Sequence, residues 1–459
     1  RHPLLHKRQQ LTWREMQFHE IRDHVRQEIQ QRAEEGAEVS AWRDRLKDLD
    51  ENHPDDESAW RSAFDGLYDG SYVAPNADAE PSSLDAILAL LPEPAADLPV
   101  AETDIADRML GAWLGRIAGC VLGKPVEGRP RNYVDLYLSL VGETELTDYF
   151  PMPDPFPEQL DGTWLTNPNI SGCTRPNIRI AERDDDIDYT IIGLHYIEKY
   201  GPGFTTENVA QEWQTLLPFG QVFTAERVAY RNIVNGLEPP LTATYRNPFR
   251  EWIGAQIRAD AFGYVNAGRP LDAAKIAYRD ASLSHTANGI YGEMWAAAMI
   301  ASAFSLDDPQ AAIEAGLACI PPSSRLASAI RGALDWCVEY PIWQECWERA
   351  QAEYGHYHWV HTINNAVWVV LALMYGQKDF GKTISIAVRC GNDTDCNGAT
   401  AGSVIGAMLG ARAIPDKWTR DFNNTVRSYV MGFDNSRITD LAERTVKQYR
   451  RLRKHDAKA

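Results

Sequence analysis

The chain has no CxxC pair, no basic excess, no membrane-length apolar run and little two-residue alternation. Each lack removes a class of protein. Cys120, Cys173, Cys319, Cys337, Cys346, Cys390 and Cys396 are scattered and odd in number, so neither a disulfide framework nor a zinc knuckle is expected. Such cysteine usage points to a reducing cytoplasm. Lys and Arg total 46 against 64 Asp and Glu, a net charge of −18. That argues against a nucleic-acid partner, because phosphate binding draws on clustered cations. The apolar segments Met109–Leu122 and Gly398–Ala411 carry Arg116 and meet Arg412, short of the ~20 residues a bilayer needs. They read as buried core helices, and no membrane partner is expected. The opening RHPLLHKRQQ has no apolar stretch and does not read as a signal peptide. A start at Arg1 rather than Met leaves a removed segment open.

What is present is ordinary for a soluble globular protein: 44% hydrophobic and 24% charged residues over 459 positions. Residues 1–103 read as a helical extension, with charged outer faces to about residue 68. An Ala/Pro/Asp-rich linker follows over 71–100, containing a short helix, Ser83–Leu91. This extension shows no concentrated chemistry and reads as a surface appendage or an oligomerisation element; the oligomeric state is left open. Residues 104–435 read as the catalytic domain and 436–459 as a polar helical tail ending in a solvated basic stretch, RRLRKHDAKA.

Two segments carry glycine at strict intervals of four: Gly111, Gly115, Gly119 and Gly123, then Gly398, Gly402, Gly406 and Gly410. Each glycine inside a helix costs roughly 1 kcal/mol against alanine. A spacing of four places them on one face, where another backbone can approach. Two such helices suggest the centre of a tight bundle, whether or not they touch each other. Further helical patterns cover Ile187–Tyr200, Asn208–Leu217, Ile290–Phe304, Ala327–Tyr340 and His361–Tyr375. The fold class is therefore all-α, a compact irregular multi-helix bundle. The longest loop-like insert is 151–177, rich in proline.

Chemistry concentrates in ERDDDIDYT (Asp184, Asp185, Asp186, Asp188) and GNDTDCNG (Asp393, Asp395, Cys396, Asn397). Each precedes an apolar helix, so N-capping accounts for one or two of the acids. Converging carboxylates ~4 Å apart repel by about 4 kcal/mol at an effective dielectric of 20. Bound cations relieve that, and an oxygen-only set selects Mg2+, Mn2+ or Ca2+. Asp393-x-Asp395-x-Asn397-Gly398 also matches half an EF-hand loop, but the twelfth position, which needs a bidentate Glu, is Val404. Gly376–Thr383 (GQKDFGKT) satisfies the P-loop pattern, but no strand context surrounds it.

Together DRMLGAWLGRIAGCVLGKPVEG, ERDDDIDYT, SHTANGIYGEMWAAAMIASAF and VRCGNDTDCNGATAGSVIGAMLG resemble the ADP-ribosylglycohydrolase family. The resemblance covers roughly Asp104 to Asp434. It implies an all-helical, metal-dependent glycosidase with two divalent cations, Mg2+ first and Mn2+ or Ca2+ as alternatives. It implies metal ligation by Asp184, Asp185, Asp186, Asp393, Asp395 and Cys396. Glu127 and Asp186 are the implied catalytic acids, and Glu127, Gly254, His285 and Asn288 the implied substrate contacts. Asp184 and Cys396 stand where the family usually has a hydroxyl residue, and Cys120 where an aspartate is common. A neutral thiol is a poor Mg2+ ligand, so whether Cys396 ligates stays open. The implied activity is hydrolysis of a ribosyl C1 bond in a small N-riboside or ADP-ribosyl compound. The alternatives are release of ADP-ribose from a modified protein and a catalytically silent metal-binding relative.

Overall fold

Gly111, Gly115 and Gly119 each face Gly406, Gly402 and Gly398 in turn, and Gly123 faces Thr394. A methyl group added at any of the seven would lie inside the opposing backbone. The two glycine-striped helices, Ile105–Gly123 and Thr394–Leu409, are therefore in direct contact and antiparallel. The computed structural model describes residues 16–93 and 95–456; the RHPLLHKRQQ segment lies outside them.

The principal helices in chain order are α1 (Phe18–Glu34), α2 (Ser40–Asn52), α3 (Glu57–Leu67), α4 (Ile105–Gly123) and α5 (Asp185–Tyr200). They continue with α6 (Ala287–Ala303), α7 (Thr362–Gly376), α8 (Phe380–Arg389), α9 (Thr394–Leu409) and α10 (Ile438–Asp456). The five further patterns read from sequence all appear as helices, at Asp185–Tyr200, Thr206–Leu216, Ala287–Ala303, Arg325–Glu339 and Thr362–Gly376. Helix α6 is buried from Asn288 to Ala303, as an element apolar all round must be. The described strands are two-residue pairs, among them β1 (Arg129–Pro130) against β2 (Gly391–Asn392). The fold is all-α. No described helix is long and apolar enough to cross a membrane, and all seven cysteines are free.

Two readings are corrected by packing. Helix α10 is not simply a polar tail: Ile438, Leu441, Ala442, Val446, Tyr449 and Leu452 are buried, and Trp113 of α4 donates to Thr445 Oγ1 at 3.0 Å. The N-terminal helices are more than a surface appendage. They have a small core of their own around Trp60 and Phe64, and they are tied to the body by buried ions. Arg250 reaches Glu28 at 2.7 Å and Glu35 at 2.8 Å. Arg325 reaches Glu80 at 2.8 Å and Glu251 at 2.6 Å. Glu34 accepts from the His358 amide at 2.7 Å.

That junction also buries His24, whose Nδ1 lies 2.9 Å from the Glu20 carbonyl. Burial first, and Arg231 second, lower its pKa to about 4. A histidine kept neutral in the fold gives stability that is complete above its unfolded value near 6.5 and lost as pH falls toward 4. Between those limits wild type should lose about 1.4 kcal/mol per pH unit through this residue. His24→Gln should flatten that part of the melting-temperature profile; parallel profiles would show that His24 does not carry the dependence.

The P-loop pattern takes a different shape. Gly376 ends α7, Gln377 and Lys378 turn at φ +53° and +64°, and Asp379 caps α8 by accepting from the Lys382 amide at 2.7 Å. The element before the loop is a buried helix rather than a strand, so its amides do not form a phosphate cradle. Lys382→Ala should leave turnover unchanged and reveal no loss of ATP binding in a titration.

Candidate metal centre

The antiparallel glycine seam decides which ends meet. The C-terminal end of α4 lies beside the N-terminal end of α9, and Thr394 Oγ1 donates to the Gly123 carbonyl at 2.8 Å. Helix α4 runs on into a tight 3-10 turn, Lys124–Val126, which leads to Glu127. The Gly128 amide donates to the Asn392 carbonyl at 2.9 Å, and β1 pairs Arg129 with Asn392 and Pro130 with Gly391. This short ladder staples the Glu127 loop to the loop carrying Asp393. Gly391 is required there: its φ is +80° and a Cβ would press on the Arg131 backbone.

Helix α5 supplies the third wall. Arg116, fully buried on α4, donates to the Asp186 carbonyl at 2.8 Å and to its carboxylate at 3.1 Å. It also donates to Asp260 at 3.0 Å. Burial alone would lower its pKa, but Asp260 and Asp186 hold the guanidinium charged and above its ordinary value. Asp184 caps α5 by accepting from the Asp186 amide at 3.0 Å.

Five of the six proposed ligand residues thus converge as carboxylates, with Cys396 beside them. Ligand atoms of Asp184, Asp185 and Asp186 lie within 4.8 Å of one another, as do those of Glu127, Asp393 and Asp395. Asp186, Asp395 and Cys396 form a third such group and Cys120, Asp184 and Asp395 a fourth. Lys124 Nζ stands among them, 2.5 Å from Asp184, 2.9 Å from Glu127 and 3.4 Å from Asp395.

Electrostatics splits the set. Burial, reinforced by neighbouring carboxylates, pushes Asp185, Asp186 and Asp393 well above the usual carboxylate range. Burial and Glu127 take Asp395 to about 7. Burial also opposes the charge on Asp184, but Lys124 and Arg183 outweigh it and hold the residue at about 2. A cluster whose members resist ionisation together is one that a cation would stabilise. Asp395 Oδ1 and Asn397 Oδ1 are buried without a hydrogen-bond partner among the described residues, so donor oxygens are free for an ion. The oxygen-rich set fits a hard divalent cation. Cys396 is a weaker candidate. Burial and the flanking aspartates raise its thiol well above its ordinary value, and its Sγ donates to Asp186 at 3.2 Å.

Other expected residues lie elsewhere. Asp188 belongs to a tie between α5 and the segment before α10, accepting from Arg183 at 2.7 Å, Ser428 at 2.7 Å and the Tyr429 amide at 3.0 Å. Asn288 spends its side chain on Glu251 at 2.8 Å and the Leu326 amide at 2.9 Å. A Cβ on Gly254 would strike the Glu226 carboxylate. Buried His285 bonds Ser284 through Nδ1 at 2.8 Å. Three site residues were not singled out from sequence: Lys124, Arg116 and Asn365. Asn365 Oδ1 accepts from Asn397 Nδ2 at 2.8 Å and from the Asp393 amide at 3.4 Å. For Arg116 a signal existed, a charge inside an apolar glycine-striped helix.

A family model described as ADP-ribosylglycohydrolase matches residues 101–455. A solved chain titled "ADP-ribosylglycohydrolase-related protein complex" is 19% identical, with a TM-score of 0.48, over 76% of this chain and 99% of its own. No curated protein matches.

Proposed function

We propose, from the premise that this chain belongs to the ADP-ribosylglycohydrolase family and is a glycosyl hydrolase, that it cleaves the C1 bond of a small N-riboside with the help of a hard divalent cation, Mg2+ first. The observation that carries this reading is the meeting of Asp184–Asp186, Asp393, Asp395 and Glu127 at one end of the glycine seam. The 151–177 insert supports a small substrate. It lies against the Glu127 loop, with Trp164 donating to the Pro125 carbonyl at 3.1 Å and Asp161 paired with Arg129 at 2.5 Å. A covered loop of this kind suits a compact ligand better than a protein surface.

Asp184, Asp185, Asp186, Asp393 and Asp395 are the carboxylates from which the ligands of the metal site would be drawn. Bound there, the ion would supply Lewis acidity toward ribose hydroxyls and water. Glu127, about a quarter exposed, takes the proton that the attacking water gives up. The water's OH ends on C1 as the bond from C1 to the leaving group breaks, and Glu127 hands the proton it took from the water to the departing group. Asp186, fixed by Arg116 and by the Cys396 thiol, faces the positive charge that builds on an oxocarbenium-like sugar. Gly254 and His285 are the further proposed substrate contacts, and Asn288 acts through Glu251.

The test is release of ribose or ADP-ribose from a panel of nucleosides, NAD-derived compounds and ADP-ribosylated protein, with EDTA and with Mg2+, Mn2+ or Ca2+ restored. Turnover of a small riboside that disappears with EDTA and returns with Mg2+ is expected. A ligand at 100 times its dissociation constant also adds about 2.7 kcal/mol of stability, so the melting temperature should follow the metal. Hydrolysis indifferent to EDTA, or confined to the protein conjugate, would sink this reading.

A further inference from the structure

Besides Arg116, which pairs with Asp186 at 3.1 Å, Lys124 brings a positive charge into the cage. Its ammonium touches Asp184 from α5, Asp395 from α9 and Glu127 from the loop after α4. The same three acids contribute to the ligand groups around the centre. Lys124 is also held in place. It opens the 3-10 turn at the end of α4, Pro125 follows it, and its side chain is 15% exposed. An ammonium and a second divalent cation compete for the same oxygens and repel each other at this range. Oxygens remain for a cation: Asp395 Oδ1 and Asn397 Oδ1 are buried without a partner among the described residues, Asp393 and Asp186 each share a ligand group with Asp395, and Asp185 shares one with Asp186.

We infer that the Lys124 ammonium takes the place of one of the two cations that the family resemblance implies, so that the centre holds a single divalent ion beside a built-in positive charge. The inference rests on reading the cluster as a metal centre. It assigns the lysine two jobs. It neutralises Asp184 and one face of Asp395, and it orients Glu127 by a 2.9 Å contact. The bound ion is then shared by the residues the lysine does not touch, Asp185, Asp186 and Asp393, together with the free face of Asp395.

Metal stoichiometry decides the matter without reference to turnover. Full-length protein, stripped with chelator, is dialysed against Mn2+ and analysed for metal by mass spectrometry and for spin coupling by electron paramagnetic resonance. Wild type should bind one Mn2+ per chain with an uncoupled signal. Lys124→Met, which keeps most of the aliphatic stem, should rise to two ions with a coupled signal, and Lys124→Arg should return to one. The wild-type stoichiometry stands alone should Lys124→Met not fold. Two ions in wild type, or one in Lys124→Met, would overturn the inference and leave the glycosidase reading intact. No bound ion in either protein would overturn both.

Discussion

Glu127→Gln should lower turnover by a factor of about 10²–10⁴, the usual loss when a positioned acid–base group is removed. The melting temperature should stay close to that of wild type. The reason for that separation is local. Glu127 follows a 3-10 turn and precedes the β1–β2 staple, so the backbone that carries it is held by amides and carbonyls rather than by its own carboxylate. Glutamine keeps the length and one oxygen, and it gives up a contact to Lys124 on a partly exposed side chain, an interaction of modest worth to stability. What glutamine cannot do is accept a proton from water. The measurement is kcat on the best riboside of the panel, beside a melting curve for each protein. A variant that turns over at nearly the wild-type rate would mean that another group moves the proton.

Gly402→Ala should be the opposite case, with its first effect on the fold. A methyl there lies inside the Gly115 carbonyl, backbone against backbone, with Ile384 on its other side. No flexible side chain can move aside, so the cost belongs at or beyond the upper end of the range for overpacking, about 3 kcal/mol. Activity should fall as well. The same seam brings the end of α4, with Lys124 and Glu127, against Asp393 and Asp395, and helices pushed apart no longer hold the two halves of the centre together. Gly203→Ala is the control, because nothing lies within 4 Å of its added carbon; it should change stability by less than about 0.5 kcal/mol. Denaturant unfolding of the three proteins measures both numbers. Equal stability of the Gly402 variant and wild type would refute the account of the seam.

The pH dependence through His24 belongs to a third region, the junction of α1 with the body, and separates cleanly from both. It involves no residue of the centre. A change in its slope would therefore report on the N-terminal helices alone.

Much of this was legible along the chain. Glycine at every fourth position says that one face of a helix must admit another backbone, because nothing else offsets the cost of those residues. Aspartates in threes before apolar helices exceed what capping needs. Both signals are local and periodic, so helix positions, fold class and the carboxylate set could be read from residues near one another in sequence. What the tertiary structure decided was who meets whom. The antiparallel register of α4 and α9 selects the helix ends that come together, and spacing along either helix is silent about that. Lys124 carried no local mark, since a lone lysine between glycine and proline reads as a loop charge until Asp184 and Asp395, from elsewhere in the chain, close around it. The charged face of α1 read as solvated for the same reason: Glu28 finds Arg250 at 2.7 Å across 222 positions. Helix α10 read as polar because its mean composition is polar, although its stripe from Leu441 to Leu452 is buried against the body. Ion pairs between distant segments have no period in sequence, and burial of a polar helix depends on the surface that the rest of the fold presents to it.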